Sequence, residues 1–191
     1  MLPNRIFFTG VPGSRWSGIA QQLETIPGFN SSDRTPSREY SHGGFTGHKG
    51  AYFGPGMEFE PIPKKDYIDL AHPSKEGTRI IKSHEWAYML DKIEQDFPDD
   101  WVMLVYRSDL ASYTWWHEAG GFNIKYPNYE AYVDSVNMMK EISRQNSAIL
   151  DYSYRKKSKW SHFTTEWVEE NFGYKLPINK VHTDILVTII K

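Results

Sequence analysis

The chain has 191 residues, a net charge of −2 and no cysteine. This length suits one domain with its own core, so we expect residues 1–191 to form a single domain. The charge balance lacks the basic field that nucleic-acid binding requires, and the lack of cysteine excludes disulfide scaffolds, thiol catalysis and thiolate metal sites. No apolar run approaches the length of a membrane helix. We expect a cytoplasmic chain with no nucleic-acid or membrane partner.

The first part of the chain predicts a strand, a glycine-rich turn and a helix, followed by a long irregular segment. Residues 5–9 form a short apolar run typical of a buried strand, and residues 14–24 place apolar side chains at helical spacing. Residues 27–63 are rich in Gly, Pro, Ser and aromatic residues and keep no helical or strand period. We expect a long loop there, and loops of this length in compact domains are usually functional.

The rest of the chain alternates between strand and helix patterns. Apolar runs predict further buried strands at residues 78–83, 101–106 and 184–190. Apolar residues at helical spacing predict further helices at residues 85–97, 109–118, about 129–150 and 164–172. This alternation predicts an α/β fold with three layers: a mainly parallel central sheet of four or five strands, with helices on both faces.

Basic residues follow two of the predicted strands. Lys82 and His84 stand at the end of one strand, and Arg107 stands at the end of the next. In open α/β sheets, ligands bind at the C-terminal ends of the strands. A site for metal-dependent phosphoryl transfer would place an acidic residue there to hold magnesium. The sequence therefore predicts an anionic ligand that is handled without a metal.

The turn at residues 10–17 has features of an anion-binding loop. It leads from a strand into a helix, where backbone N–H groups and the helix dipole attract anions. Ser14 and Ser17 add hydroxyl groups, and Arg15 adds a positive charge. An ordinary strand-to-helix turn is an equally weighted alternative, because Trp16 stands where the phosphate-binding pattern G-x-x-x-x-G-K-[ST] requires Lys.

The basic residues have both chemical and structural interpretations. A His can take a proton near neutral pH, and a Lys can stabilise developing negative charge. Lys82 and His84 are two residues apart, so they point the same way on a continuing strand. Arg107 could bind a phosphate through its planar guanidinium group. The alternatives are a solvated Lys82, a structural His84 and a surface ion pair for Arg107.

Together these segments resemble the sulfotransferases that use 3′-phosphoadenosine 5′-phosphosulfate (PAPS). That family has a P-K-S-G-T-T-W loop after its first strand, a strand ending in K-T-H, and a strand ending in Arg with a Ser on the next helix. The similar stretches here are residues 12–17, the motif Lys82-Ser83-His84, and Arg107 with Ser112. The resemblance covers residues 5–19 and 78–116, and it implies a fold like that of the P-loop-containing nucleotide hydrolases.

The resemblance also implies a role for each matched residue. The loop that holds the 5′-phosphosulfate would comprise Gly13, Ser14, Arg15, Trp16 and Ser17. Arg107 and Ser112 would hold the 3′-phosphate. Lys82 and Arg15 would assist sulfuryl transfer, and His84 would be the base that takes the proton of the acceptor hydroxyl. The product would be adenosine 3′,5′-bisphosphate, and the acceptor would be a small molecule, a carbohydrate or a peptidyl tyrosine beneath the loop at 27–63.

The chain departs from the family pattern at three points. Gly13 stands where the family has Lys, so Arg15 would have to substitute for it. Ser112 follows Arg107 more closely than the family's Ser follows its Arg, which makes Ser108 a rival. The family's late motif R-K-G-x-x-G is matched only weakly, by residues 155–157. We interpret these residues as a solvated stretch.

Other functions remain open at this point. A P-loop kinase or NTPase would need a Lys-Ser/Thr pair in the loop and a carboxylate at a strand end, whereas this chain has Trp16-Ser17 and Arg107. A non-catalytic relative could bind a nucleotide, or a partner through residues 27–63. A metal site at His42 and His48 is the weakest hypothesis, because their spacing is undistinguished, and we expect no metal.

Overall fold

The computed structural model describes residues 2–32, 39–41, 49–52, 65–66, 68, 76–123 and 133–191. Its strands are β1 (Arg5–Gly10), β2 (Glu39–Ser41), β3 (Lys49–Tyr52), β4 (Arg79–Lys82), β5 (Trp101–Arg107) and β6 (Ile185–Ile190). Its α-helices are α1 (Trp16–Leu23), α2 (Leu90–Asp96), α3 (Asp109–Glu118), α4 (Ser135–Arg155) and α5 (Thr165–Phe172). Short 3-10 helices lie at Glu85–Tyr88 and Gly121–Asn123.

Within the described part of the chain, the main sheet has four strands in the order β4-β1-β5-β6. β1 pairs in parallel with β4 and β5, so these three strands end at the same edge of the sheet. β6 runs antiparallel to β5, and its first residue, Ile185, lies opposite Arg107 at that edge. The predicted α/β class and mainly parallel sheet are confirmed, and β6 makes the sheet mixed. The shared edge carries both Lys82 and Arg107.

A hydrophobic core lies on each face of the sheet. In β1, Ile6 and Phe8 belong to one core and Phe7 to the other, because successive side chains of a strand point to opposite faces. The helical residues on the first face include Trp16, Leu23, Trp167 and Val168. Those on the second face include Trp86, Leu90, Ile93, Met138, Ile142 and Ile149. Helices thus cover both faces, as predicted, and each fully buried large apolar side chain contributes about 1.5–3 kcal/mol.

The ends of the longer helices follow from their capping residues. α5 begins after Thr164, whose Oγ1 accepts the backbone N–H three residues later at 3.1 Å. It ends at Gly173, whose φ of 69° stops the helix, as predicted. α4 begins after Asp134, whose Oδ1 accepts the N–H of Asn137 at 2.8 Å. α4 continues beyond the predicted end near residue 150, and the predicted start at residues 129–132 lies outside the described residues.

Two predictions of secondary structure need correction. The helix predicted at 85–97 is divided, because a 3-10 helix is followed at Met89 by a φ of −127° before α2 begins. Both helix types place residues three or four apart on one side, so apolar spacing does not distinguish them. In the segment 27–63, where no strand was expected, β2 and β3 form an antiparallel pair. The hypothetical metal ligands His42 and His48 lie outside the described residues.

Among the described residues, none of the helices combines the length and the apolar character that crossing a membrane requires.

Candidate functional site

The loop between β1 and α1 lies at the shared edge of the parallel strands. Gly13 and Arg15 both adopt left-handed backbone conformations, with φ of 79° and 64°. A Cβ atom at Gly13 would lie 1.9 Å from the backbone oxygen of Ser112, so the loop approaches α3 more closely than any other residue type permits. The N–H groups of Gly18 and Ile19 both donate to the backbone oxygen of Arg15, at 3.1 and 3.3 Å, so α1 begins directly after the loop and its positive dipole end faces it.

Lys82 reaches this loop from the end of β4. Its Nζ donates a hydrogen bond to Oγ of Ser17 at 3.5 Å and lies 5.6 Å from the ring centroid of Trp16. The side chain is buried, since Lys82 is only 5% exposed. The ammonium group therefore lies beside the first turn of α1.

His84 lies beneath the same loop. Its Nδ1 donates to the backbone oxygen of Gly10 at 2.5 Å, because a carbonyl oxygen only accepts. Nε2 is therefore the ring nitrogen with the lone pair. Trp16 packs on the imidazole with a centroid distance of 4.2 Å. The pKa of His84 is lowered to about 3, mainly by burial; the bond to Gly10 opposes this shift, and the charge of Lys82 contributes to it. The imidazole is neutral at physiological pH.

Arg107 links the loop to the start of β6. Its Nε and Nη2 lie 2.7 and 2.6 Å from Oδ2 of Asp184, and its Nη1 donates to the backbone oxygen of Gly13 at 2.9 Å. These contacts use three of the five N–H donors of a guanidinium group. The backbone oxygen of Arg107 accepts hydrogen bonds from Oγ of Ser112 at 3.2 Å and Nδ2 of Asn146 at 2.9 Å. Both the main chain and the side chain of Arg107 are thereby fixed.

Arg15 extends from the loop toward the same side of the molecule. Its guanidinium carbon lies 3.9 Å from the ring centroid of Trp115, and its Nη1 donates to Nε2 of His182 at 2.8 Å. Burial lowers the pKa of Arg15, and the nearby charge of Arg107 adds to this effect. Burial likewise lowers the pKa of His182, followed by the charge of Arg15. The two arginines of the site are thus close enough to influence each other electrostatically.

The serine and tryptophan positions differ in how accessible they are. Trp16 is 3% exposed and packs against Phe8, so its ring belongs to the core. Ser112 is fully buried, and its hydroxyl is engaged with Arg107, whereas Ser108 is exposed at the start of α3. The hydroxyl of Ser14 is also buried, and it has no hydrogen-bond partner among the described residues. Ser108 is therefore better placed than Ser112 to contact a ligand.

The basic stretch at residues 155–157 lies at the C-terminal end of α4. Arg155 pairs with Asp91 at 2.7 Å and with Asp151 at 2.9 Å, and Lys156 pairs with Glu94. Four of the five paired side chains are more than one third exposed, and that of Lys156 is 29% exposed. These contacts agree with the interpretation of the stretch as a solvated surface.

The residues of this site that were not anticipated from the sequence include Asn146, His182 and Asp184. Asn146 lies inside the predicted helix at about 129–150 and donates to both the backbone of Arg107 and Oδ1 of Asp109, at 2.9 and 2.6 Å. His182 and Asp184 come just before the last apolar run. The sequence gives no direction for that strand, and only an antiparallel β6 brings these residues to the site.

In comparisons with known proteins, the chain matches no family model, no curated protein and no solved structure at a significant level. The function is therefore argued from the geometry and chemistry of the site.

Proposed function

We propose that the chain is a sulfotransferase that binds PAPS at the shared edge of β1, β4 and β5 and transfers its sulfuryl group to an acceptor hydroxyl. One observation carries this proposal: cations from the ends of β4 and β5, the two strands that flank β1, contact the β1–α1 loop and the first turn of α1. Lys82 contacts Ser17 and Arg107 contacts Gly13, while Arg15 belongs to the loop itself. A helix-capping loop that gathers three cations favours a ligand with several anionic groups.

The polar groups of this edge fit such a ligand. Asp184 pairs with Arg107 and is close enough to Arg15 to affect its pKa, so these three groups together keep a positive net charge, and Lys82 adds to it. The buried hydroxyl of Ser14 lacks a protein partner in the described part of the chain. Buried polar groups are almost always hydrogen-bonded, so a ligand oxygen is a reasonable partner for it.

The residues of the chain would divide the chemistry among them. PAPS, when bound, supplies a sulfuryl group on a phosphate that leaves as part of adenosine 3′,5′-bisphosphate. Lys82 and Arg15 would stabilise the negative charge that develops on the leaving oxygen. Nε2 of His84 would take the proton of the acceptor hydroxyl, because Nδ1 is engaged with Gly10. An anion bound beside His84 would raise its pKa from about 3, since opposite charge stabilises the imidazolium form.

Arg107 would contribute to binding the 3′-phosphate. Among the described residues, the contacts with Asp184 and Gly13 leave two of its five N–H groups for a ligand. The exposed hydroxyl of Ser108 lies at the start of α3, next to Arg107 in sequence, and would complete this part of the site.

A second candidate is nucleotide binding without transfer. Lys82 and His84 are 5% and 3% exposed, and a histidine with a pKa of about 3 is a weak base. Both features also suit residues that only support the loop. This candidate predicts the same ligand and no turnover.

Calorimetric titration tests the proposal, with adenosine 3′,5′-bisphosphate as the main ligand and 5′-AMP as its control. We expect the bisphosphate to bind more tightly, because only it carries a 3′-phosphate. Turnover of PAPS in the presence of a set of hydroxyl acceptors then separates transfer from binding alone. Absence of bisphosphate binding, together with magnesium-dependent ATP hydrolysis, would replace the proposal with the kinase or NTPase alternative.

A further inference from the structure

A single three-residue segment contacts both arginines of the site. His182 accepts a hydrogen bond from Arg15 at 2.8 Å, and Asp184 accepts from Arg107 at 2.7 Å. Thr183 lies between them and is exposed. The two arginines come from different elements, the β1–α1 loop and the end of β5, so this segment connects parts of the site that are 92 residues apart in the chain.

We infer that His182 and Asp184 are positioning residues of the anion site, which hold Arg15 and Arg107 in the orientations that a ligand requires. The inference rests on the proposed function in one respect, namely that the ligand is an anion.

The register of β6 fixes where this segment lies. Ile185 is opposite Arg107 in the antiparallel pair, and its N–H donates to the backbone oxygen of His182 at 3.2 Å, which closes a turn. The segment is therefore held at the edge of the sheet by backbone bonds. Its side chains can orient the arginines at little further cost in conformational entropy, because the main chain is already ordered.

The contact with Asp184 also affects the loop. The same guanidinium group that Asp184 holds donates through Nη1 to the backbone oxygen of Gly13 at 2.9 Å. Asp184, Arg107 and Gly13 thus form a continuous chain of hydrogen bonds from β6 to the loop. Loss of the carboxylate would remove two of the three contacts that the guanidinium group of Arg107 makes. The loop would then be held less firmly.

The contact with His182 acts on Arg15 in a different way. The guanidinium group lies on the Trp115 ring on one side and donates to the imidazole at its edge. Because a guanidinium group only donates, Nε2 of His182 must be unprotonated, and the lowered pKa of His182 agrees with this. Ring packing restricts the plane of the group, and the hydrogen bond restricts its rotation within that plane.

The effect of removing the Asp184 carboxylate on anion affinity tests the inference, because a charge-only role and a positioning role predict changes of opposite sign. If the carboxylate only contributed negative charge, its removal would strengthen the binding of anions. If it positions Arg107, its removal weakens binding. The sign of the change therefore distinguishes the two.

The test is calorimetric titration of the full chain with adenosine 3′,5′-bisphosphate and, separately, with pyrophosphate. We expect Asp184→Ala and His182→Ala each to weaken binding by roughly threefold to tenfold, the usual size of coupling within one hydrogen-bonded network. Asp184→Glu and His182→Gln, which keep an acceptor, should recover part of the loss. Thr183→Ala is the matched control from the same segment and should bind like the original chain, and melting temperatures should show that every variant is folded.

A double-mutant cycle between His182 and Arg15 distinguishes positioning from a general loss of stability, because only positioning makes their effects on binding non-additive. In the Arg15→Ala background, His182→Ala should have no further effect on binding, because the group that it positions is gone. Additive losses would overturn the assignment of His182. Unchanged or tighter binding by Asp184→Ala and by Asp184→Asn would overturn that of Asp184.

The two ligands separate this inference from the proposed function. If the chain binds pyrophosphate but not the nucleotide, and the alanine variants weaken pyrophosphate binding, the proposed function fails and the positioning roles stand. If the chain binds the nucleotide and the variants do not change its affinity, the positioning roles fail and the proposed function stands. Binding of neither ligand by the original chain would overturn both.

Discussion

Nδ1 of His84 donates a 2.5 Å hydrogen bond to the backbone oxygen of Gly10. Gly10 is the last residue of β1, and His84 comes two residues after the end of β4, so the bond joins two strand ends at the site. It fixes the tautomer of the imidazole and places the ring under Trp16. The same contact therefore serves the stability of the loop and the proposed chemistry, and the two roles make different predictions.

Stability should decrease as the pH falls below the ordinary pKa of histidine. The pKa of His84 is about 3 in the folded chain and about 6.5 when it is unfolded, so between these values the unfolded state binds the additional proton. The contribution of the neutral, buried His84 to the free energy of unfolding is therefore fully present above pH ~6.5. It is lost progressively toward pH ~3, by up to about 1.4 kcal/mol per pH unit. Melting temperatures between pH ~7.5 and ~5 should fall by roughly 3–6 °C per unit on the acidic side.

Two variants control for this effect. His84→Asn keeps a donor near Gly10 but does not titrate, so its melting temperature should depend less on pH. His182→Gln is the comparison, because burial also lowers the pKa of His182 and gives a slope of the same sign. An unchanged slope in His84→Asn would contradict the burial of a neutral imidazole.

Replacement of Gly13 should disrupt the loop. A Cβ at this position would meet the backbone oxygen of Ser112 at 1.9 Å, and the φ of 79° is unfavourable for any other residue. We expect Gly13→Ala to cost about 1–3 kcal/mol of stability or more, and to weaken binding of adenosine 3′,5′-bisphosphate. Gly18→Ala is the matched control within α1, where nothing lies within 4 Å of the added atom. It should stabilise the helix by about 0.5–1 kcal/mol, as denaturant unfolding would measure.

The sequence predicted the shared edge correctly, because buried apolar runs alternating with helices imply parallel strands. That alone brings Lys82 and Arg107 together. The sequence could not predict the part of the site that β6 contributes, namely His182 and Asp184. The run at 185–190 is apolar except for Thr188, so its pattern is the same for a parallel and an antiparallel strand, and the positions of His182 and Asp184 depend on that choice. Likewise, only the packing of α3 shows that Ser112 is buried and Ser108 is exposed.

Arg107 should discriminate between nucleotides with and without a 3′-phosphate. Loss of a charge-assisted contact costs about 1.5–3 kcal/mol, so Arg107→Ala should weaken adenosine 3′,5′-bisphosphate by that amount. Binding of 5′-AMP should weaken less, through loss of the bond from Arg107 to Gly13 that supports the loop. Calorimetry on both ligands measures the difference. Equal losses would assign Arg107 to the loop alone, without a role in recognising the 3′-phosphate.

The proposed base makes a prediction about turnover. If His84 accepts the proton of the acceptor hydroxyl, His84→Asn should lower the turnover of PAPS by roughly 10²–10⁴-fold, the usual contribution of general base catalysis. Nucleotide affinity should change little, because His84 would contact the acceptor and not the phosphates. Lys82→Met is the comparison: it should slow transfer and also weaken nucleotide binding, since the ammonium group beside Ser17 would stabilise the charge of the leaving oxygen. A purely supporting His84 predicts a lower melting temperature with full turnover per folded molecule. Turnover, nucleotide affinity and melting temperature measured on the same His84→Asn sample therefore decide whether His84 is the general base or a residue that only supports the loop.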